Sequence, residues 1–391
     1  MKRSQPAKAR KPGARASRKK PAKPASATRA AASPPASVAD ARALQSQPIA
    51  KVNEAGDDMA AAAPAPTYRV LSLDGGGIRG LMTAHWLREL RNRLGSPLRD
   101  HFHLIAGTST GSILACLVAS GREPDEIIEL YRQKGESIFP GLGGRLWSRF
   151  SRLLSEGVSA PRYDGQGLYE ALRSTFGQLR FGDLPARTMV IAYDTEERST
   201  RVFKSWRMDH DEHARPVWEI VASSCAAPTY FPAFPFSVDG VRRSMIDGGV
   251  SANNPCACAV AEAVRLNCDG DSTPATLPGL IVASFGTGQV TRPIPYESAR
   301  EWGALEWAIP IIDVLMDGSG DATSYIVKQL VGEHGYFRFN TELTEAYDDM
   351  DNASLVNLNA LESVALKYIT EQDPAQKMAR LAGLLTSTGK V

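Results

Sequence analysis

The chain has 391 residues, 43% of them apolar and 23% charged, enough for one large domain or two ordinary ones with a buried core. Its net charge of +2 hides an uneven distribution: residues 1–38 hold 11 Lys and Arg and no Asp or Glu, so the remainder is net acidic, which argues against a nucleic-acid-binding globular domain. No apolar run reaches the roughly 18–20 residues of a membrane span, and the basic N-terminus lacks the apolar core of a signal peptide. The expected protein is therefore cytoplasmic, free or peripheral on the inner membrane surface. Five cysteines (Cys116, Cys225, Cys256, Cys258, Cys268) form no C-x-x-C pair and read as buried free thiols in a reducing compartment; no zinc site is expected.

Residues 1–65 are rich in Ala, Pro, Lys, Arg and Ser and nearly free of aromatic and branched apolar residues. Such a segment cannot offset the entropy of ordering, so a disordered tail is expected. Its charge suits an anionic surface, or serves only for solubility. Order is expected from Thr67, where a strand-like run (TYRVLSL) feeds into Asp74-Gly-Gly-Gly-Ile-Arg-Gly80 and then a helix over residues 81–94 with apolar Leu81, Met82, Trp86, Leu87, Leu90 and Leu94. Strand, glycine loop and helix form an anion cradle, because the backbone comes close to a ligand and the helix start adds free N–H groups. Gly75, Gly77 and Gly80 also satisfy G-x-G-x-x-G, which makes a dinucleotide site a rival. That site wants an acidic residue at the end of the second strand; Asp100 instead precedes the next strand.

That next strand, residues 102–106, leads into Gly107-Thr-Ser-Thr-Gly111, followed by an apolar helical run over 112–120. A serine at a sharp strand-to-helix turn has its hydroxyl pushed out of the backbone, and the flanking Gly107 and Gly111 suit so cramped a turn. Ser109 is the candidate nucleophile. The amides of Gly75, Gly76 and Gly77 are then candidates to stabilise the oxyanion of ester cleavage. Arg79 either anchors that loop, meets a phosphate, or is a surface arginine at a helix start. Residues 139–159 pattern as a basic amphipathic helix, with Leu142, Leu146, Trp147, Phe150, Leu153 and Leu154 on one side and Arg145, Arg149 and Arg152 on the other. It suits an interfacial lid or a helix packed on the core.

Strands are expected at 188–193, 201–206, 243–246 and 280–285, and a helix at 216–225. The third of these strands delivers Asp247-Gly248-Gly249, a carboxylate projected into an open turn. Residues 300–391 read as helices over 305–316, 322–331, 355–370 and 375–385. The whole reads as an α/β fold with a mainly parallel central sheet flanked by helices and a helical C-terminal part.

A serine nucleophile needs a base. Of six histidines only His334 follows Ser109 and Asp247 in the order of a Ser-acid-His triad, and its Gly-Glu-His-Gly setting is that of a surface turn. The other option is Asp247 acting on Ser109 directly, its weak basicity raised by burial.

Three ordered motifs, Asp74-Gly-Gly-Gly-Ile-Arg-Gly80, Gly107-Thr-Ser-Thr-Gly111 and Asp247-Gly-Gly249, together with the Ala-Ala-Pro-Thr-Tyr-Phe run ending at Phe231, make the chain resemble the patatin-like phospholipases over about residues 67–290. The resemblance implies a patatin-like hydrolase domain over 66–290, with a helical region over 291–391 packed on it. It implies a lipid acyl hydrolase with a Ser109–Asp247 dyad, an oxyanion hole from Gly75, Gly76 and Gly77, supporting roles for Arg79, Gly107, Gly111, Gly248 and Gly249, and no metal or cofactor. The partner it implies is a phospholipid or other acyl-ester lipid at a membrane surface. The chain is also similar to bacterial phospholipases gated by cyclic nucleotides in anti-phage defence, which leaves a cyclic nucleotide activator and a homodimer as open alternatives.

Overall fold

The computed structural model describes residues 68–138, 161–238, 240–268, 277–307, 310–347 and 349–387. The expected basic tail and the expected amphipathic helix over 139–159 lie outside them.

Among the described residues eight strands form one sheet: β1 Tyr68–Leu73, β2 Leu104–Thr108, β3 Thr188–Asp194, β4 Ser199–Lys204, β5 Phe234–Val238, β6 Val241–Asp247, β7 Leu280–Phe285 and β8 Tyr336–Phe339. Their order is β5-β6-β3-β2-β1-β7-β8, with β4 also on β3. The pairs β3–β2, β2–β1, β1–β7 and β7–β8 are parallel; β3–β4, β3–β6 and β5–β6 are antiparallel. All residues of β1, β2 and β7 are buried, as expected for parallel strands covered on both faces.

On one face Leu71 and Leu73 pack with the helices Gly80–Leu94 and Thr110–Ser120. The C-terminal helices Leu355–Thr370 and Gln372–Ser387 lie over the first of these, where the Trp86 indole N–H donates to the Ala365 carbonyl at 3.0 Å. On the other face Val70, Leu104, Met189 and Val282 pack with the helices Cys256–Cys268 and Pro310–Val331.

The structure departs from the sequence reading in several places. β5 is a strand where none is expected, formed by antiparallel pairing with β6 from Phe234–Met245 to Val238–Val241. β2 runs to Thr108, two residues beyond its expected end, because Gly107 and Thr108 still pair with Val190 and Ile191. The expected break between helices at 316–322 is absent: one helix, Pro310–Val331, runs through Gly318, Ser319 and Gly320. Its packing on the turn Gly249–Ala252, where Ser319 Oγ accepts from the Asn253 N–H at 3.3 Å, outweighs the roughly 1 kcal/mol that each helical glycine costs. Finally, the wholly helical reading of residues 300–391 omits β8, which pairs in register with β7 from Val282–Tyr336 to Phe285–Phe339.

Candidate active site

From β1 the chain crosses one way to β2 and β3, while β7 lies on its other side. Strand order thus reverses around β1, and the loops leaving the carboxyl ends of β1, β2, β7 and β8 gather at that crevice, where open α/β sheets place their ligands.

The meeting of Ser109 and Asp247 follows from register on one edge of β3. That edge pairs with β2 as far as Thr108–Ile191; from Ala192 it pairs with β6, beginning with Asp247. β6 therefore takes over one residue after β2 ends, and the residue leaving β2 is Ser109. Its Oγ donates to Asp247 Oδ2 at 2.6 Å across 138 residues of sequence.

Ser109 has φ 53° and ψ −126°, a conformation that costs a non-glycine residue about 1–3 kcal/mol. Close packing holds it there. A side chain on Gly111 would run into the Leu73 carbonyl, and one on Gly107 into the Gly111 carbonyl, so the β1 end and the turn sit against each other. The Ser109 N–H donates to Ser224 Oγ at 2.8 Å, and Ser224 Oγ donates onward to the Ile191 carbonyl at 2.5 Å. Ser112 Oγ donates to the Ser109 carbonyl at 2.6 Å. Ser109 also stands at the N-terminus of the helix Thr110–Ser120, where the helix dipole favours negative charge on Oγ.

Asp247 is fully buried. Burial pushes its carboxyl up to about 7, and the hydrogen bonds from Ser109 and from the Gly249 N–H, at 2.7 Å to Oδ1, oppose that rise. Gly248 packs against the Ile191 carbonyl and fixes the turn. A carboxylate titrating near neutrality and bonded to a serine hydroxyl is placed to take its proton. His334 is exposed on the turn before β8, and no histidine lines the Ser109 pocket among the described residues.

The glycine loop departs from expectation in one respect. The Gly75 N–H is committed to the Asn253 carbonyl at 3.1 Å, so it is not available as an oxyanion donor. The Gly76 and Gly77 N–H groups have no acceptor among the described residues. Arg79 is 3% exposed, and its Nε donates to the Gly76 carbonyl at 3.2 Å; it anchors the loop and is not a surface arginine. Asp74 Oδ2 is 2.6 Å from Arg338 Nη2, and the Asp74 carboxylate holds that guanidinium charged. Thr287 Oγ1 donates to the Gly75 carbonyl at 2.7 Å, and the Met350 carbonyl accepts from the Ile78 N–H at 2.9 Å.

Beside Ser109 lies a pocket with an almost wholly apolar lining, including Ile113, Leu130, Leu168, Phe231, Met316 and Met350. It suits an alkyl chain and no charged group. Cys225 also lines it, its thiol pushed well up by burial and by the nearby Asp247, so it is no competing nucleophile.

Sequence reasoning missed Ser224, Asn253, Thr287, Met350 and Arg338. Each acts across a long sequence interval, with nothing local to mark its role. We expect Ser224→Ala to leave the Ser109 N–H buried without its acceptor, costing about 1–3 kcal/mol of stability in urea unfolding and loosening the turn enough to lower kcat about tenfold. Unchanged stability and turnover would show that Ser224 does not hold the turn.

The family described as Patatin-like phospholipase matches residues 71–260. Patatin-like protein 2 of Arabidopsis thaliana is 30% identical over 336 residues, covering 76% of this chain and 82% of its own. Patatin-17 of Solanum cardiophyllum is 28% identical over 363 residues, covering 82% and 90%. Among solved structures, VipD from Legionella pneumophila aligns with 78% of this chain and 67% of its own at 14% identity and a TM-score of 0.36, a likeness that carries no argument.

Proposed function

Since the chain belongs to the patatin-like phospholipase family and is by that membership a lipid acyl hydrolase, we propose that it cleaves fatty-acyl esters of phospholipids through a Ser109–Asp247 dyad and an acyl-enzyme. The observation that carries the dyad is the 2.6 Å hydrogen bond from Ser109 Oγ to Asp247, beside an apolar pocket without histidine among its described lining.

Asp247 takes the Ser109 proton as Oγ attacks the ester carbonyl carbon. The oxyanion accepts hydrogen bonds from the Gly76 and Gly77 N–H groups. Asp247 returns the proton to the leaving alcohol, and the acyl group stays on Oγ with its chain in the apolar pocket. Water, deprotonated by Asp247, then attacks the acyl carbon, releasing the fatty acid and restoring the Ser109 hydroxyl. Fatty-acid release from phospholipid vesicles by wild type, with Ser109→Ala and Asp247→Asn as controls, tests the reading; equal release by all three would refute it.

Among the described residues no helix is long and apolar enough to cross a membrane. Contact with a lipid surface is supported by the helix Pro310–Val331: Ile311, Val314 and Leu315 are exposed on one face, next to Met316, which lines the apolar pocket. The double variant Val314→Asp/Leu315→Asp should lose about tenfold or more on vesicles and little on a soluble short-chain ester, because only the first requires burial of that face. Equal losses on both substrates would place the effect in the pocket instead.

A further inference from the structure

Behind the glycine loop lies a second cavity, of about 370 Å³ and opposite character. Its lining is polar and acidic: the carboxylates Asp74, Asp317, Asp321 and Glu342 stand against the guanidiniums of Arg79 and Arg338. It is formed by the loops that leave the carboxyl ends of β1, β7 and β8 and by the middle of the helix Pro310–Val331.

Two buried acceptor oxygens on residues that line it make no hydrogen bond among the described residues. Asp74 is 3% exposed, and its Oδ1 makes no hydrogen bond, Arg338 being on Oδ2. Asn253 is 7% exposed, and its Oδ1 makes none either. A buried acceptor left unsatisfied costs free energy, so these oxygens favour a ligand that brings N–H or O–H donors. At the rim, Asp321 and Glu342 are exposed carboxylates with no ion-pair partner among the described residues, which favours positive charge.

This cavity adjoins the reacting centre. Met316 lines both it and the apolar pocket. Asn253 Oδ1 lies against Gly75 on one side and Gly249 on the other, between the glycine loop and the turn that carries Asp247. A lipid whose ester carbonyl sits at Ser109 with its acyl chain in the apolar pocket therefore has a polar chamber within reach of its other end.

We propose that this chamber receives the head group of the substrate and selects one ending in a primary ammonium. The inference rests on the hydrolase reading above and adds the substrate class. An ethanolamine head brings a positive charge and three N–H donors for Asp74 Oδ1, Asn253 Oδ1 and the rim carboxylates. A choline head has the same charge and no donor, so it covers the two buried acceptors without satisfying them. Sites that hydrogen-bond a substrate group reject the analogue lacking it more strongly than apolar sites reject a change of shape.

The test compares kcat/KM on short-chain lysophosphatidylethanolamine and lysophosphatidylcholine, both as monomers below their micellar concentration so that surface quality does not enter. A soluble p-nitrophenyl ester is run in parallel with and without free ethanolamine. Wild type should prefer the ethanolamine lipid about tenfold or more. In Asn253→Leu, close in size but without the buried acceptor, the ratio of the two lipid rates should fall toward one; as a ratio within one protein, it is insensitive to a partial loss of active enzyme. Equal rates on the two heads in wild type, or an unchanged ratio in the variant, would overturn the proposal while leaving the hydrolase reading intact. Stimulation of p-nitrophenyl ester turnover by free ethanolamine would also overturn it, since the chamber would then take a free amine as effector. If wild type cleaved neither the lipids nor the p-nitrophenyl ester, the hydrolase reading would fall, and this proposal with it.

Discussion

Asp247→Asn should abolish lipid hydrolysis and make the protein more stable at alkaline pH. An asparagine keeps the local bonds, its Oδ1 accepting from the Gly249 N–H and its Nδ2 donating to Ser109 Oγ, so the turn stays intact. It cannot take the serine proton, and a loss of about 10³–10⁴ in kcat is expected. The stability effect follows from linkage. The buried carboxyl titrates at about 7, above the ordinary aspartate value of 3.8. Between those two values the folded protein holds a proton that the unfolded chain has released, so wild-type stability falls as pH rises through that window. The cost of keeping the carboxylate buried is small near pH 4 and on the order of 4 kcal/mol at pH 8. The melting temperature of Asp247→Asn should therefore exceed that of wild type by a margin that grows from pH 5 to pH 8. A constant margin would mean that Asp247 does not titrate near neutrality. The same titration sets the activity profile: kcat/KM of wild type should fall about tenfold per pH unit below pH 7 as Asp247 becomes protonated.

Ser109→Ala should remove activity just as completely, by about 10⁴ or more, since burial keeps the nearby Cys225 thiol protonated and unable to replace the serine. Its comparison with Ser109→Gly separates chemistry from strain. Both lack the hydroxyl, and only glycine adopts φ 53°, ψ −126° without steric cost. The glycine variant should be the more stable of the pair by about 1 kcal/mol, the strain relieved being partly offset by the greater freedom of glycine in the unfolded chain. If the alanine variant were the more stable, the turn would not be the strained element described above.

What was readable in the sequence was what local chemistry encodes. The three motifs fall at strand ends because glycines and a lone polar residue interrupt apolar runs there, and from that interruption Ser109, Asp247 and the glycine loop could be picked out. The meeting of Ser109 with Asp247 was not local. It depends on β2 and β6 sharing one edge of β3, and a register is invisible in a chain read one strand at a time. The loss of Gly75 from the oxyanion set has the same origin, since its N–H is taken by a carbonyl far along the chain. β8 was missed because Tyr-Phe-Arg-Phe is four residues long and lies between helical stretches, and only its pairing with β7 makes it a strand. The long helix through Gly318–Ser319–Gly320 was split for the opposite reason: local propensity argued for a break, and packing on the turn before Asn253 overrode it.

The claim on which the rest depends is that Ser109 carries the acyl group during turnover. Rapid acid quench of wild type with a slowly deacylated lipid ester, followed by peptide mass spectrometry, observes this directly. The expected result is one added acyl group per chain, located on Ser109 and lacking in Asp247→Asn quenched at the same time. Acyl transfer to any other residue, or a burst of released alcohol with no covalent acyl-protein, would contradict the account.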